Sequence, residues 1–334
     1  APQTLLREHY RCHPKIINFC NQRFYGGRLL IMTEDHGEPD VITAWRTAPG
    51  HHARGAFNPR EIETIRREML PSLPCEPAEI GIISPYNEQV NALHRELGGG
   101  IDVATVHKFQ GREKEAIILS TVDDQITAFT DDPNLLNVAV SRAKRQFTLV
   151  TSSNEQPDSR NIADLLAYID YNGGKITESA IHSVFDLLYE PYAEARREFL
   201  KRHRRISEFD SENLTYALLE RVLEADPAFR HLGVLCHQPL RQLIRDWTIL
   251  DDEERRYALN GATHLDFLIY NRVSKRPVLA IETDGYQFHK QGTRQSERDR
   301  MKDRILDRYS LPLLRLSTTG TDEEAKIHTL LKRN

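Results

Sequence analysis

The chain is poor in the residues that build metal clusters, disulfide frameworks and membrane spans. Its four cysteines, Cys12, Cys20, Cys75 and Cys236, are scattered along 334 residues, and no two stand in C-x-x-C spacing. A thiolate zinc site or a redox pair needs that spacing, so buried, reduced thiols in a cytoplasmic protein are expected instead. No apolar run approaches the ~20 residues that cross a bilayer, and no signal-like segment opens the chain, so no membrane partner is expected. A phosphate-cradling G-x-x-x-x-G-K-[ST] loop is missing as well; "LGGGID" (97–102) lacks the Lys-Ser/Thr pair. No apolar strand ends in D-E-A-x-x, the usual source of the carboxylate that holds Mg²⁺ beside such a loop. The chain alone is therefore not expected to hydrolyse ATP, and a nucleic-acid-stimulated ATPase measured on it would overturn that expectation.

What is present divides into three stretches. Residues 1–155 alternate short β-branched runs with amphipathic segments: "EIGIISP", "IDVATV", "AIILSTV" and "FTLVTS" read as strands, "NEQVNALHREL" and "NLLNVAVSRAK" as helices. That alternation predicts a parallel sheet covered on both faces. Residues 156–206, ending in "SVFDLLYEPYAEARREFLKRHRR", read as a helical connector. Residues 207–334 give an amphipathic helix, two strands ("THLDFLIY" and "PVLAIETD"), a charged helix and a short strand, "PLLRLS".

The second strand of the last stretch leaves an apolar run and ends in Glu282 and Asp284, with His289 just beyond. Alternation puts both acids on one strand face. A hairpin centred on Ser274 would set Asp266 of the preceding strand opposite Glu282. Massed carboxylates repel unless a hard divalent cation lies between them, and such a cation can activate water and neutralise charge on a phosphodiester. Taken singly, each residue has a plainer reading: Asp266 as an edge charge, Glu282 as a partner of Arg315, Glu212 as an acid at a helix start, His289 as a surface histidine.

The order helix-with-acid, strand-with-Asp, strand ending Glu-x-Asp-Gly resembles the PD-(D/E)xK restriction-endonuclease-like nucleases, nearest to the very-short-patch-repair branch. The resemblance covers roughly residues 207–320. It implies that Glu212, Asp266 and Glu282 hold Mg²⁺ or Mn²⁺, with Asp284, His289 and Lys302 assisting; Lys290 and Gln238 are further candidates. Asp284 stands where the family's lysine would be.

The first stretch resembles superfamily 1 helicases of the Upf1 and senataxin type. "LREHYRCHPKIINFCNQRFYGGRL" is similar to their Q-Y-R-M-H-P segment and "IGIISPYNEQV" to I-x-T-P-Y-x-x-Q. "DVATVHKFQGREKEAIILSTV" and "NLLNVAVSRAKRQFTLV" are similar to motifs V and VI. The resemblance implies the second RecA-like domain of such an enzyme, with ATP held between it and a first RecA-like domain that this sequence lacks. Arg11, Gln110, Gly111, Glu113 and Arg142 would then face the nucleotide, the arginines stabilising charge on the γ-phosphate. Ser84, Tyr86 and Thr105 would face nucleic acid. His107 replaces the commoner Asp of motif V.

The basic run "RREFLKRHRR" (196–205) stands out in a chain of net charge −4. Arg197, Lys201, Arg204 and Arg205 could contact phosphates; a solvated helix face explains the same run. The combined expectation is an α/β chain: a RecA-like parallel-sheet domain, a helical connector and a restriction-endonuclease-like α/β domain. It reads as the C-terminal fragment of a helicase–nuclease that cuts nucleic acid, DNA favoured over RNA. The alternative is an inactive nucleic-acid-binding or assembly module, or the remnant of a truncated gene.

Overall fold

A computed structural model describes residues 7–189, 192–284 and 294–333. His289 lies outside the described residues. The chain divides into two compact units, residues 1–181 and 182–334. Among the described residues no helix is long and apolar enough to cross a membrane.

The first unit runs β1 (Glu8–His9), α1 (Pro14–Phe24), β2 (Leu30–Ile31), β3 (Ile42–Thr47), α2 (Pro59–Thr64) and β4 (Ile80–Ser84). It continues with α3 (Asn87–Leu97), β5 (Asp102–Thr105), β6 (Lys114–Ser120), α4 (Pro133–Val140), β7 (Ala143–Ser152), α5 (Asn161–Tyr171) and β8 (Ile176–Glu178). Six strands form one parallel sheet in the order β5-β4-β6-β7-β3-β8. Strand β6 shows why its centre, residues 116–119, is apolar at every position. Ile117 and Leu119 pack with α1, α4 and α5, while Ala116 and Ile118 pack with α3 on the other face. Gly81 of β4 is required by this packing, because a Cβ there would lie 2.6 Å from Phe109 Cζ and 2.7 Å from Ile117 Cδ1.

Two sequence expectations change here. Helix α4 stops at Val140, so Arg142 sits in the turn into β7 and not within an apolar helix. The expected connector also starts later. Residues 156–181 belong to the first unit, where α5 packs against β3 and β8 extends the sheet.

The second unit contains α6 (Ala193–Lys201), α7 (Asp210–Ala225), β9 (Leu232–Pro239), α8 (Asp252–Leu259) and β10 (His264–Asn271). Then follow β11 (Pro277–Asp284), α9 (Arg294–Arg308), β12 (Leu313–Ser317) and α10 (Glu323–Arg333). Its sheet order is β12-β11-β10-β9, antiparallel except for the parallel β11–β12 pair. Helices α7 and α10 cover one face with Phe267, Ile269, Leu279 and Ile281; α8 and α9 cover the other with Leu268 and Ala280. Instead of a continuous helical connector, the stretch after residue 181 is a 3₁₀ turn (Val184–Leu188) followed by α6.

A buried polar network braces the first unit. Asn58 caps α2 and donates from Nδ2 to the Val122 carbonyl (2.9 Å). Gln89 of "YNEQV" accepts from Asn58 N–H (2.8 Å) and donates to Ser120 Oγ (2.8 Å). Glu61, fully buried, accepts from Thr121 Oγ1 (3.1 Å) and Val122 N–H (3.0 Å). Burial outweighs these donors and pushes the Glu61 carboxyl up to about 8. The folded chain thus holds a proton that the unfolded chain, titrating near 4.5, gives up. Stability is expected to fall as pH rises from about 4.5 through about 8. Denaturant midpoints measured across that window should show the slope, and Glu61→Gln should flatten it.

Candidate nucleotide and metal sites

In the first unit, the turns entering α1, β6 and β7 bring four charged side chains together. Arg11 Nε lies 2.7 Å from Glu113 Oε2, and Lys144 Nζ lies 3.1 Å from Glu113 Oε1 and 3.6 Å from Glu115. A cavity of about 560 Å³ opens here, lined by Glu8, His9, Tyr10, Arg11, Glu113 and Lys144. Arg142 reaches the same region; burial and then the charge of Arg11 hold it below the ordinary guanidinium range. Burial, then Arg11 and Arg142, also depress His9, whose Nε2 accepts from Cys12 N–H (3.0 Å). Arg11, Arg142 and Lys144 gather around Glu113, with Glu115 and Glu8 beside them, a charged concavity able to meet a polyanion. Arg11, Glu113 and Arg142 thus lie in one region, and Lys144 joins them. Gln110 and Gly111 (φ 85°) lie exposed in the turn before β6.

The residues expected to face nucleic acid are less accessible. Ser84 is fully buried at the end of β4, and Thr105 is 6% exposed at the end of β5, so neither side chain offers a surface. Tyr86 donates to Asp123 Oδ1 (2.9 Å) and packs against the half-exposed Phe129, ring centroids 5.4 Å apart.

In the second unit, Phe267 pairs with Ile281, and one step further along the ladder Asp266 stands abreast of Glu282. Asp266 Oδ2 accepts from Thr283 N–H (2.8 Å), and Asp266 N–H approaches Glu282 Oε1 (3.4 Å). Glu282 is 6% exposed. Its partner is Lys302 of α9, at 2.6 Å, and the same Nζ donates to the His264 carbonyl (3.0 Å). Burial raises the Glu282 carboxyl to about 7; Lys302 opposes that rise and Asp266 adds to it. Asp284 faces Arg315 Nη1 (3.6 Å), which also lies 3.7 Å from Asp299, while Nη2 lies 2.8 Å from Asp303. The pairing of Glu282 with Arg315 entertained from sequence is not what forms.

Glu212 arrives differently from expectation. Thr215 of α7 meets Thr283 (2.9 Å), so α7 covers the sheet face opposite to Glu282. Glu212 Oε2 lies 3.7 Å from His237 Nε2 and is buried without a hydrogen bond. A left-handed φ of 51° breaks the alternation of β9 at His237, whose ring sits 5.6 Å from that of His264. Among the described residues, Glu212, Asp266 and Glu282 do not bring ligand atoms within 4.8 Å of one another. Two carboxylates converge; the third stands apart. Gln238 bonds Gln242 (2.7 Å). Lys144, His237 and His264 went unnoticed in the sequence because their neighbours come from other elements; no local pattern marks them.

Two carboxylates abreast suit Mg²⁺ or Mn²⁺, which keep several waters and accept few protein ligands. His13, Asp35 and Glu38 do gather within 4.8 Å. However, His13 Nδ1 accepts from Lys15 N–H (3.1 Å) as the cap of α1, which leaves the ring proton on Nε2, 3.2 Å from Glu38. That tautomer offers no lone pair to a metal.

Lys302 neutralises a buried acid, and its removal leaves that acid uncompensated. Lys302→Met should cost about 3–5 kcal/mol of stability. Lys302→Met combined with Glu282→Leu should recover most of the loss in denaturant titrations.

Comparisons with known proteins agree with this division. Residues 1–154 match the family described as AAA domain, and residues 209–333 match one described as Protein of unknown function (DUF2726). The first part is 32% identical over 171 residues to an uncharacterized ATP-dependent helicase of Caenorhabditis elegans. It is 30% identical over 178 residues to an uncharacterized ATP-dependent helicase of Methanocaldococcus jannaschii. It is 31% identical over 164 residues to the DNA replication ATP-dependent helicase/nuclease DNA2 of Gallus gallus. These matches cover 45%, 45% and 43% of the chain but only 11%, 27% and 16% of the relatives. The first unit carries the six-stranded parallel sheet typical of a RecA-like domain, and the chain is similar over part of its length to these helicases.

Proposed function

We propose that this chain joins the nucleotide-facing half of a helicase motor to a nuclease of the restriction-endonuclease-like class. The second unit would hydrolyse phosphodiester bonds in nucleic acid, DNA favoured, with Mg²⁺ or Mn²⁺. The observation that carries this reading is the abreast pair Asp266 and Glu282 at the end of an antiparallel hairpin, with the Lys302 ammonium against Glu282. When bound, the ion would supply Lewis acidity and a water of lowered pKa.

The chain's own residues have separable parts. Asp266 and Glu282 hold the cation. Lys302 fixes Glu282 and links it to the His264 carbonyl, so α9 is tied to both strands of the hairpin. Asp284 is held by Arg315 and serves as a positioning residue rather than a ligand. Glu212 pairs with His237 away from Asp266 and Glu282 and is given no part in holding the cation. In the first unit, Arg11, Arg142 and Lys144 would face the phosphates of ATP once a first RecA-like domain closes on them, with Glu113 orienting Arg11 and Lys144.

A second reading has its own support. Lys302 already supplies the positive charge that Glu282 needs, and Glu212 stands apart, as a metal-free fold serving as a binding module would have it.

Labelled single- and double-stranded DNA incubated with Mg²⁺ or Mn²⁺ separates the two. Asp266→Asn should lower a metal-dependent cleavage rate by at least about a hundredfold while leaving the melting temperature within a few degrees. Binding without cleavage by the unsubstituted chain would leave the module reading standing.

A further inference from the structure

Helix α6, the loop after it and the start of α7 enclose a cavity of about 340 Å³ within the second unit. Five of its lining side chains are basic (Arg196, Arg197, Lys201, Arg204 and Arg205) against one acid, Asp210. Two of the five are committed. Arg196 pairs with Asp210 (3.3 Å) and donates to the Leu188 carbonyl (2.7 Å), and Lys201 pairs with Glu198 (2.7 Å). Among the described residues, Arg197, Arg204 and Arg205 have no acidic partner; the only bonds they make are Arg197 Nε to Ala193 O and Arg205 Nε to Ser207 O. All three are exposed.

Arg197 lies on α6, and the loop that carries Arg204 and Arg205 is pinned at its far end. Asn213, 2% exposed, accepts from Ile206 N–H (2.8 Å) and Ser207 N–H (3.1 Å) and donates to the carbonyls of Ser207 and Phe209 (2.9 Å each). Next to Asp210, Phe209 projects with 66% of its surface exposed. Fixing three like charges in one concavity is unfavourable unless an anion neutralises them. A large aromatic exposed beside the lining residue Asp210 offers a flat face that a stacked base can cover. Nucleic-acid strands with unpaired bases suit both features, since backbone phosphates release counterions to arginine and bases stack on aromatic rings.

We infer that this cavity docks single-stranded nucleic acid, with phosphates on Arg197, Arg204 and Arg205 and a base on Phe209. The inference rests on the reading that the second unit acts on nucleic acid, and it names the form of the strand and where it lies. A duplex would bury its base faces in its own stack and leave Phe209 uncovered. The charge of Arg204 also reaches Cys236 of β9, opposing the rise that burial imposes on that thiol.

The test uses the full chain in EDTA, so that binding is read without cleavage. Anisotropy of a fluorescent single strand of about twenty nucleotides is measured against salt. Charge reversal of Arg197, Arg204 and Arg205 to Glu should weaken binding at least about tenfold and reduce the salt slope by about 2, at roughly 0.7 per lost contact. Phe209→Ala should weaken single-strand binding at least about fivefold, leaving the slope unchanged. Circular dichroism confirms that the variants fold. Photo-cross-linking of 4-thiothymidine strands to the unsubstituted chain reads the location directly, and cross-links should fall within residues 196–213. Cross-links confined to residues 7–181, or variants with the affinity and slope of the parent, overturn the inference. A blunt duplex bound as tightly as the single strand overturns it too. A chain that binds in this way yet fails to cut with Mg²⁺ sinks the nuclease reading alone.

Discussion

The second unit is organised around one buried ion pair. Glu282 emerges from the apolar centre of β11 into a site that is 6% exposed, where an isolated carboxylate would be strongly destabilised. Lys302 reaches it from α9 at 2.6 Å and also caps the His264 carbonyl, so a single ammonium joins a helix to two strands. Asp266, abreast of Glu282, receives the Thr283 amide instead of a cation. The hairpin register is therefore specified twice, by the apolar pattern of the strands and by polar groups that find partners only when these acids stand side by side.

The first unit solves a different problem. Its parallel strands are buried on both faces, so their polar termini must be satisfied by the loops. Glu61, Gln89, Asn58 and Ser120 do this on the α3 side, away from the cations. The charged cluster of Arg11, Glu113, Arg142 and Lys144 gathers instead at the turns, where side chains are free to meet a ligand. The polar network around Glu61 is buried and hydrogen-bonded within the fold; the charged cluster at the turns is partly exposed.

Much of this was readable from residues. The strand pairs "THLDFLIY" and "PVLAIETD" and the register centred on Ser274 follow from period-two alternation and a short turn, and that register brings Asp266 to Glu282. The meeting of Arg11, Glu113 and Arg142 followed from motif resemblance. Helix α5 falls in the stretch read as a helical connector, whereas strand β8 was missed because "KITES" is too short and too polar to announce a strand; it pairs only because β3 offers an open edge. Glu212 was misplaced because helical position gives a face but not which side of a distant sheet that face will cover. Lys302 was legible only as a candidate, since nothing along α9 reveals which of its charges meets Glu282.

Sequence by itself determined the periodicities, the apolar runs, the turns and the motif order, because these depend on neighbours a few residues apart. It thereby determined two α/β units, the hairpin with its facing acids and the arginines of the first unit. Tertiary structure alone decided which charges meet: Lys302 with Glu282, Arg315 with Asp284, Lys144 with Glu113, Glu212 with His237. Electrostatic partnership falls off with distance in space, not along the chain, and only the packed fold sets those distances.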